Sequence, residues 1–188
     1  MPSIFAHAVA GAALGSAFTP HRAPRHVWIA AAICAALPDI DALGRPFGNL
    51  RYEAAFGGHR GFTHSVVFAV LLGAFVAWRC FRESSWQRVR LPLWAIFALA
   101  TATHGVLDAL STIGNGVAFW APFSWTHYEF LWRPLGEIGP GPRGLERVLA
   151  LVANELLWVG LPAIIVVAIA RLIRRSSREQ LSESLRIN

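Results

Sequence analysis

The chain has 188 residues, of which 55% are hydrophobic and 15% charged, and its mean hydropathy is +0.46, more apolar surface than one soluble domain hides. Eight Trp and twelve Phe exclude a disordered chain, and the length suits one compact unit. The basic residues are 17 arginines without a lysine, set against 11 acids, for a net charge of +6 and a pI near 10.9.

The first apolar run, Ile4 to Phe18, has no Lys or Arg before it, so it reads as a retained helix rather than a cleaved signal. It carries His7 among Ala6, Ala8, Ala10, Gly11 and Gly15, small residues that allow close helix approach. The second run, Val27 to Leu37, ends at Pro38-Asp39-Ile40-Asp41. Carboxylates at a helix C-terminus oppose the macrodipole, so a cation or an arginine is expected beside them. The glycine-flanked turn Gly57-Gly58-His59-Arg60-Gly61-Phe62-Thr63-His64-Ser65 follows, with Thr63 expected to cap a third helix from Val66 to Trp78. That helix N-terminus, with Arg60 beside it, suits a phosphate.

A fourth run, Leu91 to Leu110, contains His104-Gly105-Val106-Leu107-Asp108, and a fifth, Val148 to Ile173, contains Asn154-Glu155. The expected fold is all-α: an integral membrane bundle of about five helices. The first two are short for a core about 30 Å thick, which takes about 20 residues to cross. Residues 1–175 form a single membrane-embedded domain, and 176–188 a polar tail read as a helical extension. Cys34 and Cys80 stand in different runs and are not expected to pair.

Arginine placement gives an orientation by the positive-inside rule. With the Arg79–Arg90 loop and the Arg171–Arg178 tail in the cytoplasm, eleven arginines face Glu83, Glu179 and Glu183 there, a balance of +8. The other six arginines face eight acids, a balance of −2. Topology therefore accounts for the basic charge, with anionic inner-leaflet lipid as its partner and no nucleic acid. Trp28, Trp78, Trp86 and Trp94 form an expected inner aromatic belt, and Trp120, Trp125 and Trp132 an outer one.

Ionisable groups in or at the mouth of apolar helices are costly in lipid and mark functional sites by default. Here they are His7, Asp39, Asp41, His59, His64, His104, Asp108 and Glu155, and the alternation of helices places all eight on the outer side. His104 and Asp108 lie four apart on one helical face, which serves either a metal ion or a simple buried hydrogen bond. A helix-tying role for Glu155 competes with a catalytic one. His21 and His26 read as solvated inner-side residues, while His127 lies on the site's side in an irregular loop. Nucleophile elbow, Walker loop, Rossmann glycines and CxxC are all missing, and imidazoles with carboxylates match a catalytic rather than a structural zinc-type site.

Taken together, His7, Pro38-Asp39-Ile40-Asp41, the His59–Ser65 turn, His104-xxx-Asp108, Gly114, Trp120, Phe123 and Ser124 resemble the YdjM-type family of membrane-bound, metal-dependent hydrolases over roughly residues 3–125. The resemblance implies a bacterial inner-membrane enzyme. A more distant likeness is to zinc-dependent phospholipase C, through His104-xxx-Asp108 with Asp39 and His64. Leu151 stands where that enzyme's second His-xxx-Glu would need a histidine before Glu155, so one or two ions are implied rather than three.

The resulting expectation is a phosphoester hydrolase acting on membrane lipid or lipid-linked phosphate. Its ligands are His7, Asp39, His64, His104 and Asp108, and its metal is zinc, with manganese as the alternative. His59 serves as ligand or general acid, Asp41 orients the ligands, and Arg60 steadies developing charge on phosphorus. The site faces outward and the C-terminus lies in the cytoplasm. The competing readings are a non-enzymatic carrier or sensor of a divalent ion, a purely structural His-Asp cluster, and a soluble phospholipase-like domain.

Overall fold

A computed structural model describes residues 2–19, 24–41, 58–136 and 143–187, with side chains to Ser177. His21, Arg22 and Gly57 lie outside the described residues. Five helices run in chain order: α1 (Ile4–Phe18), α2 (Arg25–Ala36), α3 (Val66–Arg79), α4 (Arg90–Ala109) and α5, which begins at Gly144 and continues to Ile187. Among the described residues no strand forms, only the isolated bridges Ser111–Leu135 and Val117–Tyr128. The all-α bundle read from the sequence is the observed architecture.

Several boundaries move, each for a local reason. Helix α3 is capped by Ser65, whose hydroxyl accepts from the Phe68 N–H at 3.1 Å, and not by Thr63. Residues Phe62–His64 form a 3₁₀ turn instead, which frees Thr63 to point at Asp41. After α2 the chain tightens into a 3₁₀ turn over 37–41 that carries both aspartates. Helix α5 starts four residues before the expected Val148 and runs on through the tail. It loosens into a π-turn at Leu156–Gly160, next to Pro162, whose missing N–H and bulky ring disturb the regular ladder.

Helix α4 is the centre of the bundle, packed against α1, α2 and α3, while α5 leans on α1. The core between them is Val27, Ala31, Ala35, Ala77, Leu93, Phe97 and Ala100. Small residues make the close crossings that the sequence suggests: a Cβ on Gly11 or Gly15 would strike Ala31 of α2, and one on Gly73 would strike Ala98 of α4. Both cysteines are free, Cys34 buried and Cys80 exposed.

The outer faces are apolar. Phe5, Val9 and Phe18 on α1, Leu71 and Phe75 on α3, and Leu157, Ile164 and Ile169 on α5 are all exposed, as lipid-facing side chains are. Two stretches, Ser84–Ala109 and Gly144–Ser177, are long and apolar enough to cross a membrane, whereas α1 and α3 are apolar but shorter.

Two polar ties hold α5 along α1. At the start of α1, Ser3 donates its N–H and hydroxyl to the two oxygens of Glu155, at 2.5 and 2.6 Å. At its end, Arg174 donates to the carbonyls of Thr19 and Ser16, at 2.5 and 3.2 Å. The 19 residues between Glu155 and Arg174 span roughly 28 Å of helix, close to the thickness of a bilayer core. Beside Glu155, Asn154 accepts from Gly136 N–H at 3.1 Å and donates to the Pro134 carbonyl at 2.9 Å. Glu155 is thus a helix tie, which decides between the two roles the sequence leaves open.

Candidate metal centre

The start of α1, the turn after α2, the turn before α3 and the end of α4 meet at one end of the bundle, and together they bring six polar groups to one region. His7 sits in the first turns of α1, Asp39 and Asp41 on the 37–41 turn, His64 on the Phe62–His64 turn, and His104 and Asp108 one turn apart in α4. Close approach is possible because Gly105 lies against the His64 carbonyl, where a Cβ would come within 2.8 Å. His7, His64, His104 and Asp108 are all buried.

Four ligand atoms, one each from Asp39, His64, His104 and Asp108, lie within 4.8 Å of one another. The two imidazole Nε2 atoms are 3.0 Å apart. Asp39 Oδ1 is 3.4 Å from His104 Nε2 and 3.9 Å from His64 Nε2; Asp108 Oδ2 is 3.3 Å from His64 Nε2 and 3.8 Å from His104 Nε2. Ligands held 2.0–2.1 Å from a tetrahedral ion stand about 3.3 Å apart, so the cluster has the dimensions of a coordination shell.

Hydrogen bonds set which imidazole atoms carry protons. His104 Nδ1–H donates to the Ala35 carbonyl at 2.7 Å, which leaves Nε2 as a lone pair. Thr63 donates its hydroxyl proton to Asp41 Oδ2 at 2.7 Å, so its oxygen is the acceptor for His64 Nδ1–H at 3.0 Å. His64 Nε2 is then a lone pair as well. Burial lowers the His64 pKa below the usual imidazole value, which favours this neutral form. Two lone pairs and two carboxylate oxygens therefore face one point with no proton among them, an arrangement that a cation satisfies. Asp39 Oδ1 and Asp108 Oδ1 are buried without a hydrogen-bond partner among the described residues, and Asp108 Oδ2 meets the Arg60 guanidinium as an ion pair, Nε at 3.2 Å; buried acceptors left open in this way suit an ion. The donor set of two imidazoles and two carboxylates fits zinc or manganese chemistry.

Asp41 lies beside the four-atom set and joins His59 and His64 in a second group of closely spaced ligand atoms. Its Oδ1 accepts from His59 Nδ1–H at 2.6 Å, and its Oδ2 lies 3.4 Å from His64 Nδ1. Burial pushes its carboxyl upward, but the hydrogen bond from His59, the His64 ring and the Thr63 hydroxyl outweigh that and hold it below the ordinary carboxylate range.

His7 adjoins the four-atom set. Its ring stacks on His104 with centroids 3.7 Å apart and planes at 17°, and its Nε2 is 3.9 Å from Asp108 Oδ1. Neither His7 nitrogen has a hydrogen-bond partner.

Arg60 is 3% exposed, and its Nε is 3.2 Å from Asp108 Oδ2. Arg60 and His59 line a cavity of about 490 Å³ with Asn115, His127 and the backbone of Gly114 and Gly116. The sequence reading singles out the clustered residues because they are ionisable groups in apolar runs. From the 111–118 loop it names only Gly114, and it misses Asn115 on the cavity wall; the local clue is the pair Gly114 and Gly116, at φ +104° and +78°. His26 is exposed on α2 against Phe81 and Trp86, away from the cluster.

Comparison with known proteins gives the family. A family model described as YdjM inner membrane protein matches residues 1–178. Inner membrane protein YbcI of Escherichia coli (strain K12) is 33% identical over 174 residues, covering 88% of this chain and 95% of that protein. No solved structure matches the chain.

Proposed function

The chain belongs to the YdjM family of inner membrane proteins, and from that premise we propose that it is a metal-dependent phosphoester hydrolase of the bacterial cytoplasmic membrane. The observation that carries the reading is the acceptor-only set of Asp39, His64, His104 and Asp108 opening beside a cavity lined by Arg60. Asp39, His64, His104 and Asp108 would hold a divalent ion such as zinc or manganese, which would supply Lewis-acid chemistry to a phosphoester.

The chain's own residues do the rest. Asp108 shares its Oδ2 between the cluster and Arg60 Nε, so the guanidinium is held one residue's width from the ligands. From there its outer N–H groups meet charge developing on phosphorus. His59, kept in place by Asp41 on the cavity wall, is the proton-handling group, and Ala35 and Thr63 fix the ligand tautomers. Exposed apolar helices set this site in lipid, so head-group or lipid-linked phosphoesters are the substrates in reach. Arginine placement supports a multi-pass topology with the site at the outer face and the C-terminus in the cytoplasm.

Metal content per chain, measured by mass spectrometry on detergent-purified protein beside His104→Ala, tests the reading. One or two equivalents of zinc or manganese, lost in the variant, together with metal-dependent release of phosphate or head group in a phospholipid and phosphomonoester screen, support it. Bound metal without turnover against any phosphoester favours a carrier or sensor, and no metal after reconstitution retires the site.

A further inference from the structure

The cavity beside the cluster carries chemistry that the ligand atoms do not use. Among the described residues its polar wall is His59, Arg60, Asn115 and His127, with no carboxylate. Arg60 is nearly fully buried, yet its Nη1 and Nη2 have no hydrogen-bond partner. A buried guanidinium with idle N–H groups is costly unless something is received there.

The surrounding backbone is built to hold that guanidinium. Arg60 adopts φ +69°, the one described non-glycine residue in the left-handed region, and its carbonyl accepts from Ala118 N–H at 3.0 Å. Gly114 lies so close that a Cβ would strike Nη1. On the exposed side, His127 donates Nδ1–H to the Trp125 carbonyl at 3.0 Å, which fixes the ring and leaves Nε2 for the cavity. Trp125, two residues before His127, is exposed, a residue type that settles among lipid head groups.

We propose that this cavity is a phosphate-binding subsite in which Arg60 anchors the anion and His127 contacts the group esterified to it, making His127 a specificity-determining residue. The inference deepens the phosphoesterase reading and rests on it for the substrate class, while the binding itself depends on this chain's own side chains. Inorganic phosphate and a lipid phosphate head group share the chemistry.

The test is titration of inorganic phosphate into full-length, detergent-purified protein stripped of metal by chelation, followed by calorimetry and phosphorus NMR. Saturable binding is expected, weakened about tenfold by Arg60→Gln and retained within a few-fold by Arg60→Lys, which keeps the charge if the buried glutamine disturbs folding. His127→Leu, on an exposed loop, is expected to leave inorganic phosphate within about twofold and to cut the affinity for phosphatidic acid about fivefold. Phosphatidic acid in phosphatidylcholine nanodiscs, offered in competition, identifies the source. Displacement with the wild type and weaker displacement with His127→Leu support a lipid head group. Phosphate binding that phosphatidic acid does not displace overturns the role given to His127.

Binding that appears only after metal is restored, equal in wild type and Arg60→Gln, places the anion on the metal and overturns the subsite while the hydrolase reading stands. Failure to bind phosphate in either state overturns it too. Phosphate binding that survives in a protein unable to take up metal retires the hydrolase reading alone.

Discussion

Two sets of polar groups, one partly buried and one buried, lie at the same end of this bundle and differ in how they are satisfied. Around Ser3, Asn154 and Glu155 each group meets a complementary partner: two donors on the Glu155 carboxylate, and one donor and one acceptor on the Asn154 amide. Around His64 and His104 the outward hydrogen bonds are equally complete, to Ala35 and to Thr63 with Asp41, but inward there are only acceptors. The first set is closed and serves to fasten helices. The second is closed on its outside and open on its inside, which is the pattern of ligands held for an ion.

The largest effect should come from opening the second set. Asp108→Ala removes a ligand oxygen and the partner of Arg60 Nε at once, and we expect bound metal below a tenth of an equivalent and turnover at background. Membrane insertion, read by carbonate extraction, should be unchanged because the apolar helices drive it. If Asp108→Ala holds a full equivalent of metal, the cluster is not the binding site.

Asp41→Asn probes the outer layer of the same set. Its amide still accepts one proton but no longer offers His59 and Thr63 a charged pair of oxygens, and changes of this kind cost about 10–100-fold in metal affinity. A competition titration with a chromophoric chelator measures this, and an unchanged affinity would make Asp41 a loop tie rather than a ligand orienter.

Glu155→Ala should behave in the opposite way. It strips Ser3 of two acceptors and loosens α5 from the start of α1, at a cost of about 1–3 kcal/mol in stability. Metal affinity should stay within about twofold. Thermal unfolding followed by circular dichroism, with metal content measured on the same sample, separates the two sets. A Glu155→Ala protein that melts normally but loses metal reverses their assignment.

The helices and ligand types were legible in the sequence because apolar runs and ionisable intruders are local signals. That His104 and Asp108 share a face follows from a spacing of four, and that Asp39, Asp41 and His64 join them follows from alternating helices. Less visible was what depends on close contact between distant segments. Ser65 rather than Thr63 caps α3 because Thr63 is drawn to Asp41, a residue 22 positions away. His7 reads as an ionisable intruder by location, but its stacking on the His104 ring joins residues 97 positions apart. The Arg174 tie to Thr19 joins residues 155 positions apart, and periodicity within either helix gives no sign of it.

The smallest effect belongs to Thr63, and it examines the proton assignment on which the open set depends. The Thr63 hydroxyl donates to Asp41 Oδ2 and accepts from His64 Nδ1, so it relays the carboxylate's charge to the ligand ring. Thr63→Val keeps the shape and removes the relay, while Asp41 Oδ2, already 3.4 Å from His64 Nδ1, takes over as acceptor after a small shift. The net loss is about one ordinary hydrogen bond, roughly 0.5–1.5 kcal/mol, which is about a two- to tenfold weakening of metal binding. Thr63→Ser restores the hydroxyl and should restore the affinity. If valine binds metal as tightly as threonine and serine do, then His64 is not held by this relay, and its Nε2 lone pair must be fixed by direct contact with Asp41 alone.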